Sequence, residues 1–334
     1  MKRFPVVAAM AVVATVVTTA PASAAVTVAD LDPGEYFSQA TSVRDDGVAV
    51  GYAWTPGVGT RARLWDASGA LVELETPSRN GEAHDVNNDG IVVGAAEPVW
   101  IERPYAVWWD SSGALAELPG GFSGSAEGVN DAGVIVGYTD SQGLRPLRWE
   151  NTLVAATALP TLPGGENDSI AYDVNNVGAA VGYSRGSDGT RHAVVWDAVG
   201  GISQLGTPAG YPNCFAYEIN DSGMTVGTCS TGGGGGSTAV RWDDTGAVFV
   251  LPAFGTGESG ATSLSEAGLI VGNALDVDGR YRAVRWGAFG TVTRLPTLGG
   301  DHGVAMDINN TGTVVGRTNP TGGSFHATAW HNAG

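Results

Sequence analysis

Beyond its second residue the sequence contains no lysine, and its full length holds two cysteines and five histidines. Two cysteines cannot build a disulfide framework, so the fold needs a hydrophobic core. The scattered histidines give no H-E-x-x-H, the cysteines give no C-x-x-C, and without lysine there is no phosphate loop. Charged residues make up 15% of the chain, too few for a highly charged disordered chain. The longest apolar run, Val6 to Val17, is too short to cross a bilayer. No segment after it shows a helical period, which argues against a bundle or a doubly wound fold.

The apolar run belongs to a targeting segment. Lys2 and Arg3 precede it, and Ala22-Ser23-Ala24 follows as a small-x-small cleavage site. The expectation is a signal peptide over 1–24, export, and a mature chain over 25–334 with no membrane span. That mature chain keeps 15 Arg against 34 acidic residues. A net charge of this sign repels phosphate backbones, so nucleic acid is not an expected partner. It suits solubility outside the cell, and a monomer is expected.

Glycine, by contrast, is abundant, and its placement is regular. Val-Gly recurs seven times, with the glycine at 51, 94, 137, 182, 227, 272 and 316. The steps are 43, 43, 45, 45, 45 and 44 residues, and each copy is followed by a tryptophan, from Trp65 to Trp330. A period in this range marks one supersecondary unit copied and stacked. In the second copy Ala83–Asn87 reads as a strand, Asn88-Asp89-Gly90 as a tight turn and Ile91–Ala95 as the return strand. Ala106–Asp110 and Ala114–Leu118 supply two more. Four strands repeated seven times predict an all-β, seven-bladed β-propeller of four-stranded antiparallel blades, one domain over 25–334. The turn before Val-Gly is short, and the link after the Leu-containing strand is long. Each blade therefore runs from the Ala-x-Asp-Val-Asn strand at the axis to the Leu strand outside. In that phase the N-terminal strand, Ala25–Leu31, closes the last blade.

Cys214 and Cys229 each stand six residues from the turn Asn220-Asp221-Ser222-Gly223. They should face one another across this hairpin. A disulfide is expected there, as an oxidising compartment favours.

These segments resemble the HAF repeat of bacterial extracellular proteins. That pattern runs Leu-Gly-Thr-Leu-Gly-Gly, then Ala-x-x-Ile-Asn-x-x-Gly-x-Val-Val-Gly, then His-Ala-Phe-x-Trp. Here it is matched best by Leu295–Gly300, Ala305–Gly316 and His326–Trp330. The resemblance spans the mature chain and implies secretion and a propeller-like fold. It implies no agreed activity. The His-Ala histidine occurs only at His192 and His326.

Three groups of residues are candidates for function. Asp85-Val86-Asn87-Asn88-Asp89-Gly90 has the opening of a calcium loop, but five other repeats replace Asp89, with Ala132, Val177, Ser222, Ala267 and Thr311. It reads as a turn, and no cofactor or metal is expected. Asp85, Asp173, Glu218 and Asp307 recur at one position of the inner strand and should converge in the central channel. There they either bind a ligand or bond to neighbouring blades. Trp54, Trp100, Tyr105 and Tyr281 lie outside the repeated tryptophan position, in or beside loops that differ between copies. Such aromatics stack on sugars or anchor proteins. The reading is a secreted binding protein for an extracellular polysaccharide or a cell-envelope protein. The alternative is a carbohydrate-active hydrolase or lyase whose carboxylates converge from several blades.

Overall fold

The computed structural model describes residues 25–76, 80–97, 103–121, 123–233, 235–255, 257–287 and 290–332. The expected signal peptide and Trp100 lie outside the described residues. Within them the chain forms seven four-stranded antiparallel sheets. The first blade runs Phe37–Val43, Ala49–Thr55, Gly59–Trp65 and Leu71–Glu73, from axis to rim. The inner strands of the next five are Asn80–Val86, Gly124–Val129, Ser169–Val174, Asn213–Ile219 and Ser259–Leu264. The last blade takes Gly299–Ile308, Val314–Pro320 and His326–His331 from the C-terminal region. Its outermost strand is Thr27–Asp30, paired antiparallel to His326–His331. The expected clasp is present. Each inner strand packs against the inner strands on both sides, and the seventh meets the first.

The core is divided among the seven gaps between blades. Each gap holds one repeated tryptophan, packed with alanines and valines of two consecutive blades. All seven are buried. Six of them donate the indole N–H to a carbonyl in the link from the preceding blade: Glu75, Pro119, Pro160, Gly206, Pro252 and Pro296. Burying the ring while satisfying its one polar atom is what makes tryptophan suit this gap. Trp65 lies at the clasp, where the preceding link is Leu31-Asp32-Pro33, and its indole nitrogen has no partner.

The Val-Gly glycines answer a different demand. In every blade the inner strand carries a one-residue bulge opposite the glycine, as between Ala83 and Asp85. A Cβ at Gly94 would sit 2.0 Å from the Glu82 carbonyl oxygen, and the other six copies are as tight, at 1.9–2.2 Å. No side chain fits there. The bulge also explains the cysteine register. The turn opposes Asn220 to Met224, one residue longer than a two-residue hairpin. The bulge between Ala216 and Glu218 cancels that offset, so Cys214 pairs with Cys229. The two form the disulfide, with Cα atoms 4.1 Å apart.

Replacing Gly94 by Ala should destabilise the fold by about 3 kcal/mol, because backbone must move to admit one methyl. Gly34→Ala, with open space around the added carbon, should stay within about 0.5 kcal/mol of the parent. Guanidinium unfolding of both variants checks this; equal midpoints would contradict the close approach.

Candidate functional site

The bulge decides what faces the axis. In a regular strand, consecutive residues point to opposite faces. At a bulge two consecutive residues can share one. The residue before the acidic position therefore also turns toward the channel. Across the seven blades that residue is Thr41, His84, Glu127, Tyr172, Tyr217, Thr262 and Met306, and all seven line one cavity of 360 Å3. Gln39, Tyr52 and Glu82 line the same cavity. Sequence reasoning passed over this rank. Strict alternation puts x of Ala-x-Asp on the face away from the acidic rank, although x takes five residue types in seven repeats.

The expected acidic rank lies next along the channel. Ser42, Asp85, Asp173, Glu218 and Asp307 line both the 360 Å3 cavity and a second cavity of 160 Å3 on the far side. They form the waist between the two. Their oxygens are largely committed to the seams. Asp85 accepts from the Val129 amide of the next blade at 2.8 Å and from the Ser42 hydroxyl of the previous one at 2.6 Å. Asp173 accepts from the Ile219 amide at 2.9 Å. Asp307 accepts from Val43 at 2.7 Å, across the closing seam, and from the Ser263 hydroxyl at 2.7 Å. The third blade has Gly128 here, where a Cβ would lie 2.9 Å from the Asp173 Cα and the Tyr172 carbonyl. Burial pushes all four carboxyls up, against these bonds. Asp173 is raised to about 7, with Asp85 and Asp307 adding to the effect, and Asp307 to about 6.

The far cavity is bordered by two series of hydrogen bonds between blades, one partial and one running the full circle. Asn87, Asn130 and Asn175 each donate a side-chain N–H to the carbonyl of the equivalent residue one blade on, at 2.8–2.9 Å. One residue later, each backbone amide donates to the next blade's side chain. The series runs through Asp45, Asn88, Asp131, Asn176, Asp221, Glu266 and Asn310 and returns to Asp45. These repeated polar residues thus serve the ring. Asp85 and Asn87 of the calcium-like spelling are engaged with the third blade. Among the described residues no group of three or more His, Cys, Asp or Glu side chains is arranged to hold a metal ion.

One wall of the larger cavity is charged. His84 Nδ1 lies 3.1 Å from the Ala126 carbonyl and 3.5 Å from Glu127, and Nε2 lies 3.6 Å from Glu82. Burial opposes its charge, but the two glutamates outweigh burial and raise it to about 10. It is an imidazolium at neutral pH and cannot act there as a base. Another wall is aromatic. Tyr172 and Tyr217 have ring centroids 5.5 Å apart, backed by Tyr183 and Phe215. Arg191 caps this cluster, over Tyr183 at 5.4 Å, and is held by Asp168.

The loop aromatics are dispersed. Trp54 is 39% exposed and packs edge-on against Tyr36 in the first blade. Tyr105 packs on the core between the first and second blades. Tyr281, 38% exposed, bonds Glu258 at the sixth. None of the three lines the channel cavity. Gly182-Tyr183-Ser184-Arg185-Gly186 has the G-x-S-x-G spelling of a nucleophile elbow. It lies at the end of a strand that turns into another strand. Ser184 is fully buried, bonded to Ser169 and the Leu162 amide, so its hydroxyl is no nucleophile.

No family model and no curated protein matches the chain. Solved structures do share its architecture. Streptogramin B lyase aligns at 13% identity with a TM-score of 0.59, covering 92% of this chain and 97% of that one. Virginiamycin B lyase from Staphylococcus aureus aligns at 12% and 0.60, covering 92% and 98%. The β-propeller domain of the Trilobed protease from Pyrococcus furiosus aligns at 10% and 0.56, covering 88% and 96%. At such identities the likeness is one of fold: a β-propeller scaffold.

The channel carboxyls set a pH dependence. Their folded pKa values lie above the unfolded ones, so the folded state holds protons that the unfolded chain has lost. Their contribution is complete below about pH 4 and declines as pH rises through 6 to 7. His84 acts in the same direction from about pH 6.5 upward. The melting midpoint should therefore fall by at least about 5 °C between pH 5 and pH 8. Asp173→Asn should flatten that slope. A midpoint that rises with pH over this window would contradict the assignment.

Proposed function

We propose that this is a secreted β-propeller of the HAF-repeat type that binds an extracellular glycan on the face where the larger channel cavity opens. The observation that carries the reading is where the repeats stop repeating. Tryptophans, glycines, asparagines and turns are copied around the ring. The bulge residues are not, and neither are the loops between second and third strands. Function sits on variable elements held by a rigid scaffold. The cavity's chemistry suits a sugar: tyrosine faces for stacking, with Gln39, Thr41, Thr262 and Glu82 for hydroxyl groups. Export rests on the targeting segment, and the disulfide fits an oxidising compartment. Among the described residues no helix is long and apolar enough to cross a membrane. A cell-envelope protein, engaged through Trp54, Trp100, Tyr105 and Tyr281, is the partner to expect if glycans fail.

One observation favours a second reading, an extracellular carbohydrate-active hydrolase or lyase. Asp173, raised to about 7 in the channel, has the proton affinity a general acid needs. That reading expects Asp173→Asn to lose turnover of a glycan while still binding it.

On a glycan array the purified mature protein should retain a defined subset of sugars. Removing Trp54 and Tyr281 together should leave most of that binding intact. Retention of no sugar would overturn the glycan reading in favour of a protein partner.

A further inference from the structure

The binding face is not a groove. Its centre is a hole whose walls belong to the seven inner strands and, at Tyr52, to one second strand, and whose floor is the waist of the channel. At that floor Ser42 and Asp85 touch at 2.6 Å, and Asp307 is tied to both Ser263 and the Val43 amide. The 360 Å3 above it is at the small end of ligand pockets, room for a small ligand rather than a long chain. A cavity of that size takes one sugar ring, and a chain end presents one ring where the middle of a chain carries links on both sides. Resting on the glycan reading above, we infer that the channel is a socket for the terminal residue of a glycan chain, and that this residue is uncharged.

Three features specify the occupant. The paired rings of Tyr172 and Tyr217 offer an apolar face on one side, suited to the C–H face of a pyranose. The Thr41 and Thr262 hydroxyls, which donate to the Ala83 and Ala305 carbonyls, can still accept from its hydroxyls, and the Gln39 amide N–H can donate to them. The charges exclude acids. His84 is already paired with both Glu82 and Glu127, so this wall carries one more negative charge than positive. A uronate brought here would meet like charge in a poorly hydrated site.

The test uses the mature protein and methyl glycosides as chain-end mimics: glucoside, galactoside, mannoside, xyloside, arabinoside and N-acetylglucosaminide, with methyl glucuronide as the charged control. The ring signals of Tyr172 and Tyr217 are followed by NMR, assigned through Tyr172→Phe and Tyr217→Phe. At least one neutral glycoside should shift both sets of signals at millimolar concentration. The glucuronide should shift neither. Tyr172→Ala and Tyr217→Ala should each weaken the effect about tenfold. Thr262→Trp, which fills the cavity, should abolish it; Thr262→Ser, which keeps the space and the hydroxyl, should preserve it. Shifts confined to Trp54 or Tyr281 would overturn the socket while leaving the glycan reading in place. So would binding only of polymers whose ends are chemically capped. No response to any neutral glycoside would overturn the socket as well, and an empty glycan array beside it would remove the glycan reading too.

Discussion

A carbonyl oxygen stands where a side chain would otherwise be. In each blade the bulged inner strand pushes one carbonyl against the facing strand, and only glycine leaves it room. Most of the architecture follows from that contact. The bulge bends the inner strand and turns two consecutive side chains to the axis. One of them holds the seams, as Asp85, Asp173 and Asp307 do through the amides of the next blade. The other is free to vary, and it lines the channel. Scaffold and site are thus adjacent residues of one strand, separated by the bulge that Val-Gly permits.

The ring is held by many small, repeated terms. Buried tryptophans fill the gaps, and one full circle and one partial circle of side-chain to backbone bonds stitch the turn side. The clasp is the exception in this pattern. There Trp65 lacks the acceptor its six counterparts have, and Asp32 Oδ2 and Arg63 Nε face each other at 3.8 Å, an ion pair too long for a hydrogen bond. Burial pushes Asp32 up to about 6, despite Arg63 nearby. Three of the five buried side-chain atoms without a hydrogen bond among the described residues, in Asp32, Arg63 and Trp65, lie at that seam. The Asp30–His326 contact at 2.8 Å and the Leu31 amide on the Ala327 carbonyl hold it.

The architecture was legible because repetition is a signal that adds up. Seven copies of Val-Gly and seven tryptophans pointed to the blade count, the strand order and the clasp. The cysteine pair could be read because a hairpin reports its own register. The convergence of Asp85, Asp173, Glu218 and Asp307 was legible for the same reason, since one repeated position maps to one rank. The lining of the cavity was not. A bulge inserts a residue without changing the pattern of residue types around it, so alternation assigns His84, Tyr172 and Tyr217 to the wrong face. The loop aromatics stood out by departing from the period, yet departure alone could not say that Trp54, Tyr105 and Tyr281 lie on separate parts of the ring. Position in space, and not type, distinguishes the two sets.

The account rests on the channel being the place where this protein meets its ligand. A crystal structure of the mature protein soaked with the glycan it retains most strongly tests that directly. The account predicts sugar density against Tyr172 and Tyr217, above the waist formed by Asp85, Asp173, Glu218 and Asp307, with the chain leaving past the rim. Sugar bound at Trp54 or on an outer blade edge, with the channel holding only water, would contradict it.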